Sequence, residues 1–148
     1  MLPLPHRYGV RLRRSEGAEG VLSSGPRPKL VGAPPPEFGG PGDLWSPEHL
    51  LLAAASLCLM TTFIALADKS KLGVLAYDCK AEGLLDKAPE GLGFTSVVLR
   101  VTLEVAEPDR DKAERLMALT EKHCLVSNSL KRPVSVELEL KLRAGRAG

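Results

Sequence analysis

The stretch Ser46-Pro47-Glu48-His49-Leu50-Leu51-Leu52-Ala53-Ala54-Ala55-Ser56-Leu57-Cys58 opens the most apolar run of this chain and decides how the rest must be arranged. Ser46 is a good helix N-cap, and proline suits the first helical position that Pro47 takes. Glu48 puts negative charge in the first turn, where the helix dipole favours it. From Leu50 to Ala67 there are 18 residues without a charge. The pattern predicts a helix from Pro47 to about Lys69. An uncharged run of that length touches the threshold for a membrane span. Ser56, Thr61, Thr62 and five alanines within it fit a helix buried on all sides in a soluble protein better, and no membrane is expected. One sheet covers one face of such a helix. A second subunit is the simplest cover for the rest, so a homodimer with these helices at its centre is expected.

Working outward, residues 8–14 alternate, with Tyr8, Val10 and Leu12 on one face and Arg11 and Arg13 on the other. Arg14 falls on the apolar face. A turn follows at 16–20, and residues 21–24 and 29–31 read as short strands. Prolines and glycines make up half of the stretch from Pro26 to Pro47, which predicts a stiff loop of lid or arm length. Beyond the helix, residues 74–85 and 93–105 form a strand pair around a loop at Lys87–Gly91. Leu75, Tyr77, Cys79 and Ala81 share one face of the first strand. Thr95, Val97, Leu99, Val101 and Leu103 face in from the second. Glu107-Pro108-Asp109 starts a second helix with the stripe Ala113, Leu116, Met117 and Thr120, which Cys124 continues. Residues 134–142 alternate as a last strand. The order βββ-α-ββ-α-β predicts an α+β fold with an antiparallel sheet in a single domain, residues 1–148, frayed at 1–7 and 143–148.

Composition narrows the function. At 148 residues the chain can bury a core without staples. A net charge of +2 and 4% aromatic residues give neither a basic stripe nor a stacking platform, so nucleic acid is not an expected partner. There are three cysteines, an odd number, and the N-terminal residues do not read as a signal peptide. A reducing cytoplasmic setting is expected, in which thiols serve chemistry more than stapling. Cys58, Cys79, His123 and Cys124 do not make a zinc pattern, and no cofactor or metal is expected.

Cys58 lies about three turns into its helix, beyond the reach of the dipole, and apolar burial raises a thiol pKa. A reactive Cys58 therefore calls for a cation held by a carboxylate, and Glu48 is placed to hold an arginine. Cys124 ends one helix and precedes a possible short turn at Ser127–Lys131, and the two ends act on its thiol in opposite senses. A peroxide would turn Cys58 into a sulfenic acid, which condenses with a nearby thiol such as Cys124. The plainer alternative is that buried cysteines are small hydrophobes. Cys79, facing in from a strand, is read that way.

The segment from Ser46 to Cys58 resembles the "NPEELxxAAxxxC" motif of the OsmC/Ohr superfamily, with the same Glu-to-Cys spacing. Cys124-Leu125-Val126-Ser127-Asn128 is similar to the second motif, "CPVSxxL", with Leu125 in place of proline. Gly39-Gly40-Pro41-Gly42 is similar to the Ohr branch, and the resemblance covers roughly residues 8–142. It implies an intertwined homodimer and thiol-dependent reduction of organic hydroperoxides. Cys58 would be peroxidatic and Cys124 resolving, with a lipoyl-type or other dithiol as reductant. It also implies an arginine paired with Glu48. Neither family position for that arginine holds one: the Ohr-type turn reads Gly17-Ala18-Glu19-Gly20, and the OsmC-type position is Phe38. Arg14 is the favoured substitute and Arg27 the other. The missing arginine motivates an alternative, a non-peroxidase relative that binds an apolar small molecule at its dimer interface. A third reading is a structural dimer with inert thiols.

Overall fold

A computed structural model describes residues 2–145. The expected fraying of the termini lies partly outside them, at residues 1 and 146–148. The chain forms two compact units, Met1–Leu51 and Leu52–Gly148, and the boundary falls inside the long helix.

The first unit holds β1 (Arg11–Glu16), β2 (Glu19–Ser23) and β3 (Leu30–Gly32), an antiparallel meander in the order β1-β2-β3. The strand expected from residue 8 begins at Arg11. Its partner β2 ends at Ser23, which pairs with Arg11, so residues 8–10 have no ladder to join. All six residues of β1 are exposed, and Tyr8, Val10 and Leu12 are uncovered with them. The proline-rich stretch after β3 is closed at its base, where the Ala33 amide donates to the Trp45 carbonyl at 2.9 Å. Its tip is a 3₁₀ turn at Pro36–Phe38. Gly40 is obligatory there, because a Cβ at that position would lie 1.5 Å from the Pro34 carbonyl oxygen. The helix α1 (Pro47–Lys69) then starts as the sequence predicts: Ser46 Oγ accepts from the His49 amide at 3.2 Å.

In the second unit, β4 (Ala76–Ala88), β5 (Gly91–Ala106) and β6 (Val134–Arg143) form one sheet in that order. β4 and β5 are antiparallel over 13 pairs. β6 joins parallel to β5, a departure from the all-antiparallel sheet expected, because α2 (Arg110–His123) and α3 (Leu125–Asn128) return the chain to the start of the sheet. β6 includes Arg143, paired with Ala106 and bonded to Glu104 at 2.7 Å. The inward residues Val97, Leu99, Val101 and Leu103 are buried as predicted, as are Ala113, Met117, Thr120 and Cys124.

The α1 residues of this unit bury one stripe, Ala55, Leu59, Phe63 and Ala67, spaced four apart against the core. The opposite stripe, Ala54, Leu57, Thr61 and Ala65, is exposed. α1 is long and apolar enough to cross a membrane by length and composition, but its buried stripe packs as a core helix does. The fold is α+β with a long apolar helix, as the sequence predicts.

Candidate active site

The second unit brings Cys58 and Cys124 together. Cys58 sits half-buried in the middle of α1, and the Cys124 thiol is among the groups that act on the ionisation of its sulfur. Cys124 is fully buried at the junction of α2 and α3. Its backbone is extended (φ −71°, ψ 111°), which ends α2 and turns the chain into α3. Its carbonyl accepts from the Asn128 amide at 3.0 Å, and its sulfur accepts from Ser127 Oγ at 3.4 Å.

The helical turn expected at Ser127–Lys131 starts earlier, at Leu125, because Cys124 acts as its N-terminal flank. That shift carries a chemical consequence. The first amides of α3 have no intrahelical acceptors, and the backbone of Val126 and Leu125 helps to favour the Cys58 thiolate. Burial pushes the Cys58 thiol up. Hydrogen bonds from the Val126 amide, the Cys124 thiol, the Thr62 hydroxyl and the Leu125 amide outweigh it, and the pKa ends below the ordinary thiol value. The groups that lower Cys58 here are uncharged, three of them on or beside α3 and one a helical turn along α1.

Thr62 was legible as the residue one turn beyond Cys58, on the same face. The two amides were not, since a backbone N–H leaves no mark in a sequence. Leu125 stands where the family motif has proline, so this chain has a donor there that a proline would lack. Leu125→Pro is expected to fold, because proline fits a first helical position and the extended Cys124 suits the residue before it. It should raise the Cys58 pKa, read from the pH dependence of Cys58 alkylation.

The other expected site residues lie in the first unit. Arg14 and Glu48 line one cavity of about 570 Å³, walled by Leu12, Leu22, Phe38, Trp45 and Leu50 among others. Arg14 is exposed, and its Nε donates to the Gly17 carbonyl at 2.6 Å. Glu48 Oε1 is buried and has no hydrogen-bond partner. Arg27 bonds the Ser24 carbonyl at 3.3 Å. Neither arginine forms an ion pair among the described residues.

Cys79 sits half-buried on β4. Burial, and then the charge of Asp78, push its thiol up, so it stays protonated. No cluster of His, Cys, Asp or Glu among the described residues could hold a metal ion.

A family model described as OsmC-like protein matches residues 40–139, which include both thiols and Glu48. An uncharacterized protein of Bacillus subtilis, YmaD, is 24% identical over 115 residues, covering 75% of this chain and 77% of that protein. An OsmC-like protein of unknown function from Vibrio cholerae superimposes with a TM-score of 0.84 at 21% identity, covering 91% of this chain and all of its own. An organic hydroperoxide resistance protein from Elizabethkingia anophelis superimposes at 0.75 with 19% identity, covering 96% and 100%. OhrB, the organic hydroperoxide resistance protein of Bacillus subtilis, gives 0.66 at 23% identity, covering 92% and 98%. At these identities the structural likeness establishes the fold.

Proposed function

This chain belongs to the OsmC-like family, and from that premise we propose that it is a thiol peroxidase that reduces organic hydroperoxides. The observation that carries the proposal is the lowered pKa of the Cys58 thiol, held down against its burial by the Val126 backbone, the Cys124 thiol, the Thr62 hydroxyl and the Leu125 backbone. The Cys58 thiolate attacks the terminal peroxide oxygen. The O–O bond breaks, the alcohol leaves with a proton, and Cys58 becomes a sulfenic acid. Cys124 then displaces the sulfenic hydroxyl, which departs as water with the Cys124 proton, and the disulfide forms. A dithiol of the lipoyl type, or another thiol, returns both sulfurs to the reduced state. Arg14 and Glu48 enter the proposal as a charge pair, with the buried, unpartnered Glu48 oxygen as the acceptor awaiting a donor. The preference is for apolar peroxides, in keeping with exposed Leu57 and Leu125 on the two elements that carry the thiols. We assign the protein to a homodimer of single OsmC-like domains in the cytoplasm. Support for the dimer comes from the uncovered stripe of α1 and the uncovered residues Tyr8, Val10 and Leu12.

The test is pH-resolved alkylation of the reduced protein. Cys58 should react with a midpoint below that of a free thiol, about 8.5. The sign follows from the direction of the shift. An acid whose folded pKa is depressed adds stability above its unfolded pKa and loses it as pH falls through the folded value. Labelling and stability from this group should therefore decline together on acidification. A midpoint at or above the free-thiol value would remove the basis of the proposal.

A second reading, a binder of apolar small molecules, draws on the cavity of the first unit. Trp45, the only tryptophan of the chain, lines it and reports on its occupancy. On this reading a medium-chain fatty alcohol should alter Trp45 emission saturably and do so equally in Cys58→Ser. An emission unchanged up to the solubility limit excludes it.

A further inference from the structure

Ser127 carries a hydroxyl that the reaction above does not use. It is the third residue of α3 and is half-buried. A serine or threonine on a helix commonly turns its hydroxyl onto a carbonyl three or four residues back. Four such side chains of this protein do so. Ser56 Oγ donates to the Ala53 carbonyl at 3.0 Å and Thr61 Oγ1 to that of Cys58 at 3.2 Å. Thr120 Oγ1 donates to the Leu116 carbonyl at 2.7 Å and Ser129 Oγ to that of Leu125 at 2.9 Å. Ser127 does otherwise. Its Oγ donates to the Cys124 sulfur at 3.4 Å, while the carbonyl three residues back, that of Cys124, takes the Asn128 amide at 3.0 Å.

Cys124 is the thiol that most needs such a donor, because it is fully buried. To attack a sulfenic acid its sulfur must develop thiolate character, and an unassisted anion shielded from water is strongly disfavoured. A neutral thiol sulfur is a weak acceptor and a charged one a strong acceptor. A hydroxyl already aimed at the sulfur therefore holds the thiolate more firmly than the thiol. Both groups sit on one turn, where the extended Cys124 leads into α3, so the donor is in place before the reaction. The titratable groups that Cys124 acts on, or that adjoin it, are Cys58 on α1, Tyr77 on β4, whose hydroxyl has no hydrogen-bond partner, and the exposed His123 before it in the chain. A change at Ser127 leaves all three in place.

We infer that the Ser127 hydroxyl is the hydrogen-bond donor that steadies the Cys124 sulfur as it attacks the Cys58 sulfenic acid, and so speeds disulfide formation. The inference rests on the peroxidase reading and deepens it. Atoms balance without a further reactant. The Cys124 proton leaves with the Cys58 sulfenic hydroxyl as water, the S–S bond forms as the S–O bond breaks, and Ser127 keeps its own proton throughout.

The experiment is rapid mixing of the reduced unmodified protein, Ser127→Ala and Ser127→Thr with one equivalent of cumene hydroperoxide across a range of pH. It follows the two steps separately, sulfenic acid by dimedone capture and disulfide by mass spectrometry. Alanine suits a helix better than serine does, so Ser127→Ala is expected to fold. At neutral pH its disulfide formation should be slowed about tenfold, with sulfenic acid formation unchanged. Ser127→Thr keeps a hydroxyl at the same place and should restore the second step to within about threefold. As pH rises the thiolate forms with less help, so the deficit of Ser127→Ala should narrow. A serine that only shaped α3 would leave a deficit that pH does not close. Equal disulfide rates in Ser127→Ala and the unmodified protein, or a deficit that persists in Ser127→Thr or at high pH, overturn the inference and leave the peroxidase reading intact. An unmodified protein whose Cys58 never oxidises overturns both.

Discussion

Cys58→Ser is expected to lower hydroperoxide consumption about a thousandfold or more, to the level of the unassisted reaction. A serine hydroxyl does not ionise near neutrality, and the peroxide oxygen must be attacked by an anion. The hydrogen bonds that help a thiolate at this place, from Val126, Cys124, Thr62 and Leu125, cannot bring an alcohol within reach of ionisation. The substitution should leave the fold intact, because Cys58 is half-buried and its neighbours in α1, Leu57 and Leu59, keep their positions. Peroxide-dependent loss of cumene hydroperoxide in the presence of a dithiol measures it. Residual activity within a few-fold of the unmodified protein would mean that another thiol, Cys79 or Cys124, carries the chemistry.

Cys124→Ser should separate the steps. Cys58 still meets the Val126 and Leu125 amides and loses one hydrogen bond of the four. It should be oxidised once, somewhat more slowly, and then stop as a sulfenic acid that dimedone traps. Excess peroxide carries it on to the sulfinic acid. Turnover with a dithiol reductant should fall by roughly a hundredfold or more, unless the reductant attacks the sulfenic acid directly. Intact mass after one equivalent of peroxide distinguishes the cases. An added oxygen that persists supports Cys124 as the resolving thiol, and full turnover in Cys124→Ser contradicts that role.

Much of this was legible in the residues, for reasons that can be named. Ser46-Pro47-Glu48 gives a start signal that the structure follows to the residue, and the period-two runs specify the inward faces, buried in β5 and half-buried in β6. Cys124 could be placed on the stripe of α2 because helical spacing extends predictably from Thr120. What escaped the sequence depends on backbone. The parallel joining of β6 is set by how α2 and α3 return the chain, not by its own alternation. The turn after Cys124 begins two residues before the sequence placed it, because an extended Cys124 frees the Leu125 and Val126 amides. The expectation of a cation at Cys58 followed from the distance to the start of α1, and the Val126 and Leu125 backbone that acts on the same thiol comes from an element elsewhere in the chain. Tyr77 was read as an inward strand residue, and its unpartnered hydroxyl emerges only when its neighbours are known.

The account stands on one claim, that Cys58 and Cys124 form a working pair. The most direct measurement is the intact mass and peptide map of reduced protein exposed to one equivalent of cumene hydroperoxide. The account predicts the loss of two hydrogens per chain, a Cys58–Cys124 disulfide in the map, and full reversal by a dithiol. A mass that does not change, or one that gains oxygen on Cys58 with Cys124 still alkylatable, would contradict it.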